Sequence, residues 1–178
     1  MPFFTGIRSE YHFRQGTKKF NSYVDDLDPL SPMLLEAVGS FQKAVKLRPE
    51  FAAAWFSLGF CYYRCGMVGT MYPYELKSER QYETLESVAT ESFVSFDLAA
   101  SASTDGLILL SDEDIQGRAI GYHLRGKALV RLGKFSDALN DINIALDCDP
   151  SMTNASHNKS VVESLMEGKG TALGAALL

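Results

Sequence analysis

The chain has 178 residues, 46% of them apolar, with 17 Lys and Arg against 22 Asp and Glu for a net charge of −5. That length supports one packed core rather than two large lobes, and the composition excludes a disordered chain. Mean hydropathy is −0.06, no apolar run reaches the roughly 20 residues a spanning helix needs, and the acidic balance argues against nucleic acid and anionic membrane as partners.

Residues 1–30 read as an N-terminal extension. Arg8, Arg14, Lys18 and Lys19 outnumber Glu10, but the segment is rich in aromatics and poor in serine, unlike a transit peptide, and no secretory signal precedes it. A cytoplasmic location is therefore expected. Residues 11–19 could form a helix, which Asp25-Asp26-Leu27-Asp28-Pro29 would interrupt. Ser31 suits an N-cap and Pro32 the first helical position, and Leu34, Leu35, Val38, Phe41, Ala44, Val45 and Leu47 follow as a stripe of helical period until Pro49. A second helix is predicted from Ala52 to Tyr63 or Cys65, stopping at Gly66.

The middle of the chain is less regular. Residues 74–98 can be helical, with Leu85, Val88 and Ser92 on one face, while residues 101–106 (SASTDG) read as a loop and residues 111–114 as a helix start with acids in the first turn. Clearer signals return with a helix over 115–132 ending at Gly133, another over 136–146 ending before Pro150, and an amphipathic segment through Ala155, Val161, Val162, Leu165 and Met166 that closes at Gly168. Residues 169–178 form a short apolar tail.

Catalytic chemistry is not legible. The chain has no Gly-rich phosphate loop, no H-E-x-x-H and no G-x-S-x-G, and no cofactor or metal is expected. The acidic clusters at 25–28 and 112–114 lack the alternating oxygen ligands of a calcium loop. Three cysteines, an odd number, argue against a disulfide framework, and Cys61, Cys65 and Cys148 read as core thiols.

The internal repeat decides the reading. Trp55, Leu58-Gly59 and Tyr62 form W-x2-L-G-x2-Y, and Ala37, Phe41, Ala44 and Pro49 form A-x3-F-x2-A…P just upstream. Residues 119–150 carry Tyr122, Gly126, Leu129, Gly133, Phe135, Ala138, Ile142, Ala145 and Pro150 at the spacing of a full repeat, with Arg125 where leucine is usual. Tyr122 follows Trp55 by 67 residues, close to two repeats of about 34. On these residues the chain resembles the tetratricopeptide repeat (TPR) family, well over 33–66 and 119–150 and poorly over 67–118.

The resemblance implies an all-α fold of antiparallel helix hairpins stacked as a short right-handed solenoid over residues 31–168. Residues 67–118 are either a drifted repeat or an insertion, and the insertion is favoured because residues 67–73 do not look like a second helix. The small residues Gly59, Gly126, Ala37, Ala44, Ala138 and Ala145 would let helices approach, and Phe41, Trp55, Tyr62, Tyr122 and Ile142 would fill the space beside them.

The resemblance also implies a non-catalytic protein–protein interaction module, an adaptor, co-chaperone-like protein or assembly factor. First helices of successive hairpins would line a concave groove holding a peptide or helix segment of another protein. Groove positions would be Phe56, Phe60, Tyr63 and Arg64 early, and His123, Lys127 and Arg131 late. The aromatics would offer contact area, and the cations would attract an acidic peptide or free carboxylate. Some family members clamp a chaperone carboxylate with asparagines. This chain has Ala53, Phe56, Ser57 and Phe60 there, which argues against that partner. The alternative is an assembly subunit whose groove is occupied by its own extra segments.

Overall fold

A computed structural model describes residues 2–26, 28–73 and 85–168, and no strand occurs among them. Seven helices carry these residues: α1 (Pro2–Asp26), α2 (Met33–Leu47), α3 (Ala52–Met71), α4 (Leu85–Ile108), α5 (Ile115–Arg131), α6 (Phe135–Cys148) and α7 (Thr153–Met166). The expectations for residues 74–84 and for the tail 169–178 lie outside the described residues.

The helices pack in the order of the chain. The most extensive contacts join α1 with α2, α3 with α4, and α5 with α6. Each pair then meets the next through α2–α3, α4–α5 and α6–α7, and α1, α3, α5 and α7 touch in succession.

Residues 2–26, unmatched by any motif, supply the first of these helices. Ser9, Gly16 and Tyr23 are buried at seven-residue intervals, a single stripe along the side facing α2. A Cβ on Gly16 would lie 2.7 Å from the Phe41 ring of α2, so only glycine admits that approach. Ser9 Oγ donates to the Ala44 carbonyl at 2.9 Å. The acidic run after residue 24 falls at the end of this helix instead of interrupting it.

Two predicted termini differ from what forms. Ser31 does not cap α2 with its side chain. Its buried hydroxyl has no hydrogen-bond partner, and its carbonyl instead accepts from Leu34 N. Leu35, assigned to the buried stripe, is exposed. Gly66 does not end α3, which runs another turn and more to Met71 and buries Val68 and Gly69. Gly66 is a contact glycine: a Cβ there would lie 2.7 Å from the Phe96 ring of α4.

Residues 101–106 are likewise not a loop. They continue α4, where the hydroxyls of Ser103 and Thr104 donate to the carbonyls of Ala99 and Ala100 four residues back at 2.7 and 3.0 Å. Serine satisfied this way costs the helix little, and its small volume lets α3 come close. Helix α4 lies against both α3 and α5.

The remaining turns follow expectation. Gly133 has φ +73°, its N–H donates to Val130 O, and Lys134 N donates to Leu129 O, the Schellman closure of a helix C-terminus. Gly168, with φ +69°, follows α7. Asp114 caps α5 by accepting from Gly117 N at 2.9 Å.

The small positions do bring helices together. Ala37, Ala44, Ala138, Ile142 and Ala145 are fully enclosed and Phe41 nearly so. A Cβ on Gly59 would sit 3.2 Å from the Ala99 carbonyl of α4, and one on Gly126 3.2 Å from the Ala138 carbonyl of α6. Trp55, Tyr62 and Tyr122 are only half-buried. The Trp55 indole donates to Pro49 O at 2.7 Å, clasping the α2–α3 turn, and Gln42 Nε2 donates to Tyr62 Oη at 2.7 Å. Among the cysteines Cys61 is buried, whereas Cys65 and Cys148 are half-buried rather than in the core.

Candidate functional site

One side of the molecule is hollow. A cavity of about 570 Å³ lies between α1, α3, α5 and the start of α7, with Phe20, Phe56, Phe60, His123, Lys127 and Asn154 on its walls. Its mouth keeps large apolar surface in water: Phe60 is 40% exposed and Ile120 48%.

Of the seven predicted groove residues, four meet here: Phe56, Phe60, His123 and Lys127. Phe56 is wedged rather than free. A Cβ on Gly106 of α4 would lie 2.6 Å from its ring and one on Gly121 of α5 2.7 Å, so these glycines form its slot. Phe60 stands edge-on to Phe20 of α1, with ring centroids 5.5 Å apart.

The other three lie elsewhere. Tyr63 is 2% exposed, and burial, opposed by the nearby Arg131 and Arg64, pushes its hydroxyl up to about 12. It packs on Phe96 and serves as a floor, not a contact surface. Arg64 turns to α1, where Nη2 donates to Tyr23 Oη at 3.1 Å. Arg131 lies over the Phe96 ring at 5.1 Å.

The electrostatics of the hollow centre on α5. Asn158 Nδ2, on buried α7, donates to His123 Nε2 at 2.9 Å, which leaves the imidazole proton on Nδ1. Burial, helped by the Lys127 charge, pushes His123 down to about 4, so the ring is neutral at pH 7. Lys127 is also half-buried. Burial lowers its pKa, and the Arg64 and Arg131 cations lower it further. Its ammonium lies 4.6 Å from the centroid of the Tyr63 ring, a cation–π contact. Among the described residues no hydrogen bond or ion pair reaches it.

Arg125 departs from the repeat pattern and here has its reason. It faces away from the hollow and forms a two-pronged pair with Asp141 of α6, Nε to Oδ2 at 2.7 Å and Nη2 to Oδ1 at 2.8 Å.

Sequence reasoning missed the walls that α1 and α7 contribute, Thr17, Phe20 and Asn154, and Ile120 at the mouth. The signal for α1 was the helical spacing of Phe13, Gly16, Phe20 and Tyr23, which no repeat motif flags. Among the described residues no cluster of three or more His, Cys, Asp or Glu could hold a metal, and no helix is long and apolar enough to cross a membrane. Comparison with protein-family models and with curated proteins returns no match.

Proposed function

We propose that the chain is a non-catalytic protein-interaction module, an adaptor or assembly factor of the cytoplasm, that takes up a segment of another protein in the hollow between α1, α3, α5 and α7. The observation that carries this reading is the mouth of the hollow, where Phe60 and Ile120 hold apolar surface in water around a half-buried cation. Exposed apolar surface of this kind on a concave face is a general mark of a docking site.

A TPR-like right-handed solenoid is the architecture we assign. Gly16, Gly59 and Gly126 support it, since each sits on the first helix of a pair and admits the second. The succession α1, α3, α5, α7 along one side supports it too. The absence of any disulfide among the three cysteines suits a reducing compartment. The alternative, a groove filled by the protein's own extra segments, draws on the Phe20–Phe60 contact. Against it stands the seating of α1 as a wall of the hollow and as the partner of α2.

The test is capture of peptides by the full chain. Peptides selected on the parent should bind Phe60→Ser about tenfold more weakly, the effect of losing a moderate interface contact. The variant's Tm should fall by no more than about 4 °C, since the side chain is partly exposed. Equal affinity of the two proteins contradicts the proposal.

A further inference from the structure

We infer that the segment taken up in the hollow presents an aspartate or glutamate whose carboxylate meets the Lys127 ammonium, beside a bulky apolar side chain that packs against Phe60 and Ile120. The inference rests on the hollow being a peptide site and adds the chemistry of its occupant.

Lys127 is the ground for it. A cation withdrawn from water without an acceptor is costly, and proteins seldom retain one unless another group completes it. The cation–π contact with Tyr63 offsets part of that cost and leaves the ammonium's N–H donors to be met. Every charged group that acts on it is a cation, Arg64 first and then Arg131, so the cluster is short of one negative charge. His123 cannot supply it, being neutral with Nε2 engaged by Asn158. Arg64 donates to Tyr23 and Arg131 covers Phe96, which leaves Lys127 as the cation on the wall of the hollow itself.

The remaining wall selects the kind of anion. Phe20, Phe56, Phe60, Ile120 and Leu124 surround the site with apolar surface. In such surroundings one cation is balanced by one negative charge. A carboxylate leaves the pair neutral, whereas a phosphate dianion would leave an excess charge away from water. A peptide with an apolar residue next to an acid meets both demands at once.

Random peptide display on the immobilised full chain tests this. It is run in parallel on the parent and on Lys127→Met, Lys127→Arg and Phe60→Ser. The parent and Lys127→Arg should select peptides with Asp or Glu beside Phe, Leu, Ile or Met, and Lys127→Met should select the apolar residue without the acid. Replacing the acid of a selected peptide by its amide should weaken binding to the parent about tenfold and leave binding to Lys127→Met unchanged. Replacing it by phosphoserine should weaken binding to the parent. Lys127→Met should melt at or above the parent's temperature, which shows that lost selection is not lost folding. Peptides that need Phe60 but carry no acid, acid selection that survives in Lys127→Met, or tighter binding of the phosphoserine form overturns the carboxylate and leaves the hollow standing. Peptides indifferent to Phe60, or no selection at all, overturn both.

Discussion

Asp141→Ala destabilises the protein by about 3–5 kcal/mol, the usual cost of leaving one member of a buried ion pair alone. The Asp141 side chain is 3% exposed and that of Arg125 25%. Removing the carboxylate strands a guanidinium among α4, α5 and α6, with Thr104 Oγ1 at 3.3 Å its remaining acceptor among the described residues. The hydrogen bond from Asp141 also keeps Arg125 firmly protonated, against the opposing effect of burial, so proton loss offers no relief. Arg125→Leu with Asp141→Ala should recover most of the loss, because a buried pair is readily replaced by apolar groups. Leucine is also the residue the repeat pattern expects at 125. Urea denaturation of the parent, both single variants and the double variant measures the coupling. Simple additivity of the two single losses would show that the pair does not hold α5 to α6.

Gly66→Val costs about 3 kcal/mol, at the upper end of overpacking losses. Its Cβ would meet Cε1 of Phe96 at 2.7 Å, and Cζ and Cδ1 lie within 2.9 Å. Phe96 is itself buried against Tyr63 and cannot swing aside. Gly39 is the internal control. It too lies inside a helix, but a Cβ there would meet nothing within 4 Å. Gly39→Ala should therefore stabilise the protein by roughly 0.5–1 kcal/mol through helix propensity alone. Opposite signs for the two glycines in denaturant midpoints would locate the effect in packing. A loss at both would assign it to the backbone.

These two glycines show where the sequence can be read and where it cannot. A glycine near a helix end has two meanings, a turn or a close approach, and the residue alone does not distinguish them. At Gly133 the turn reading holds because the chain needs positive φ there. At Gly66 it fails, because the partner that demands the glycine is Phe96, thirty residues away in a segment without a repeat motif. The serines of 101–106 mislead for a related reason: small polar residues are common in loops, yet here their hydroxyls bond back along α4 and their size admits α3.

The candidate site divides in the same way. Helical spacing correctly sets Phe56, Phe60, His123 and Lys127 on one face. It could not tell that Tyr63 is roofed by Lys127, or that Arg64 is drawn to Tyr23, since both depend on α1 and on the curvature that brings α7 near α1. Local pattern fixes which residues share a face, and only the packing of neighbouring pairs decides which of them reach water.

Hydrogen exchange of the full chain, with and without a display-selected peptide, tests most directly that the hollow is the working face. Slowed exchange in the peptide complex should concentrate in α1 around Thr17–Phe20, in α3 around Phe56–Phe60, and in α5 around Ile120–Lys127, helices whose opening the occupant would suppress. Protection confined to α2, α4 and α6, with those three segments unchanged, would place the binding face on the opposite side of the molecule.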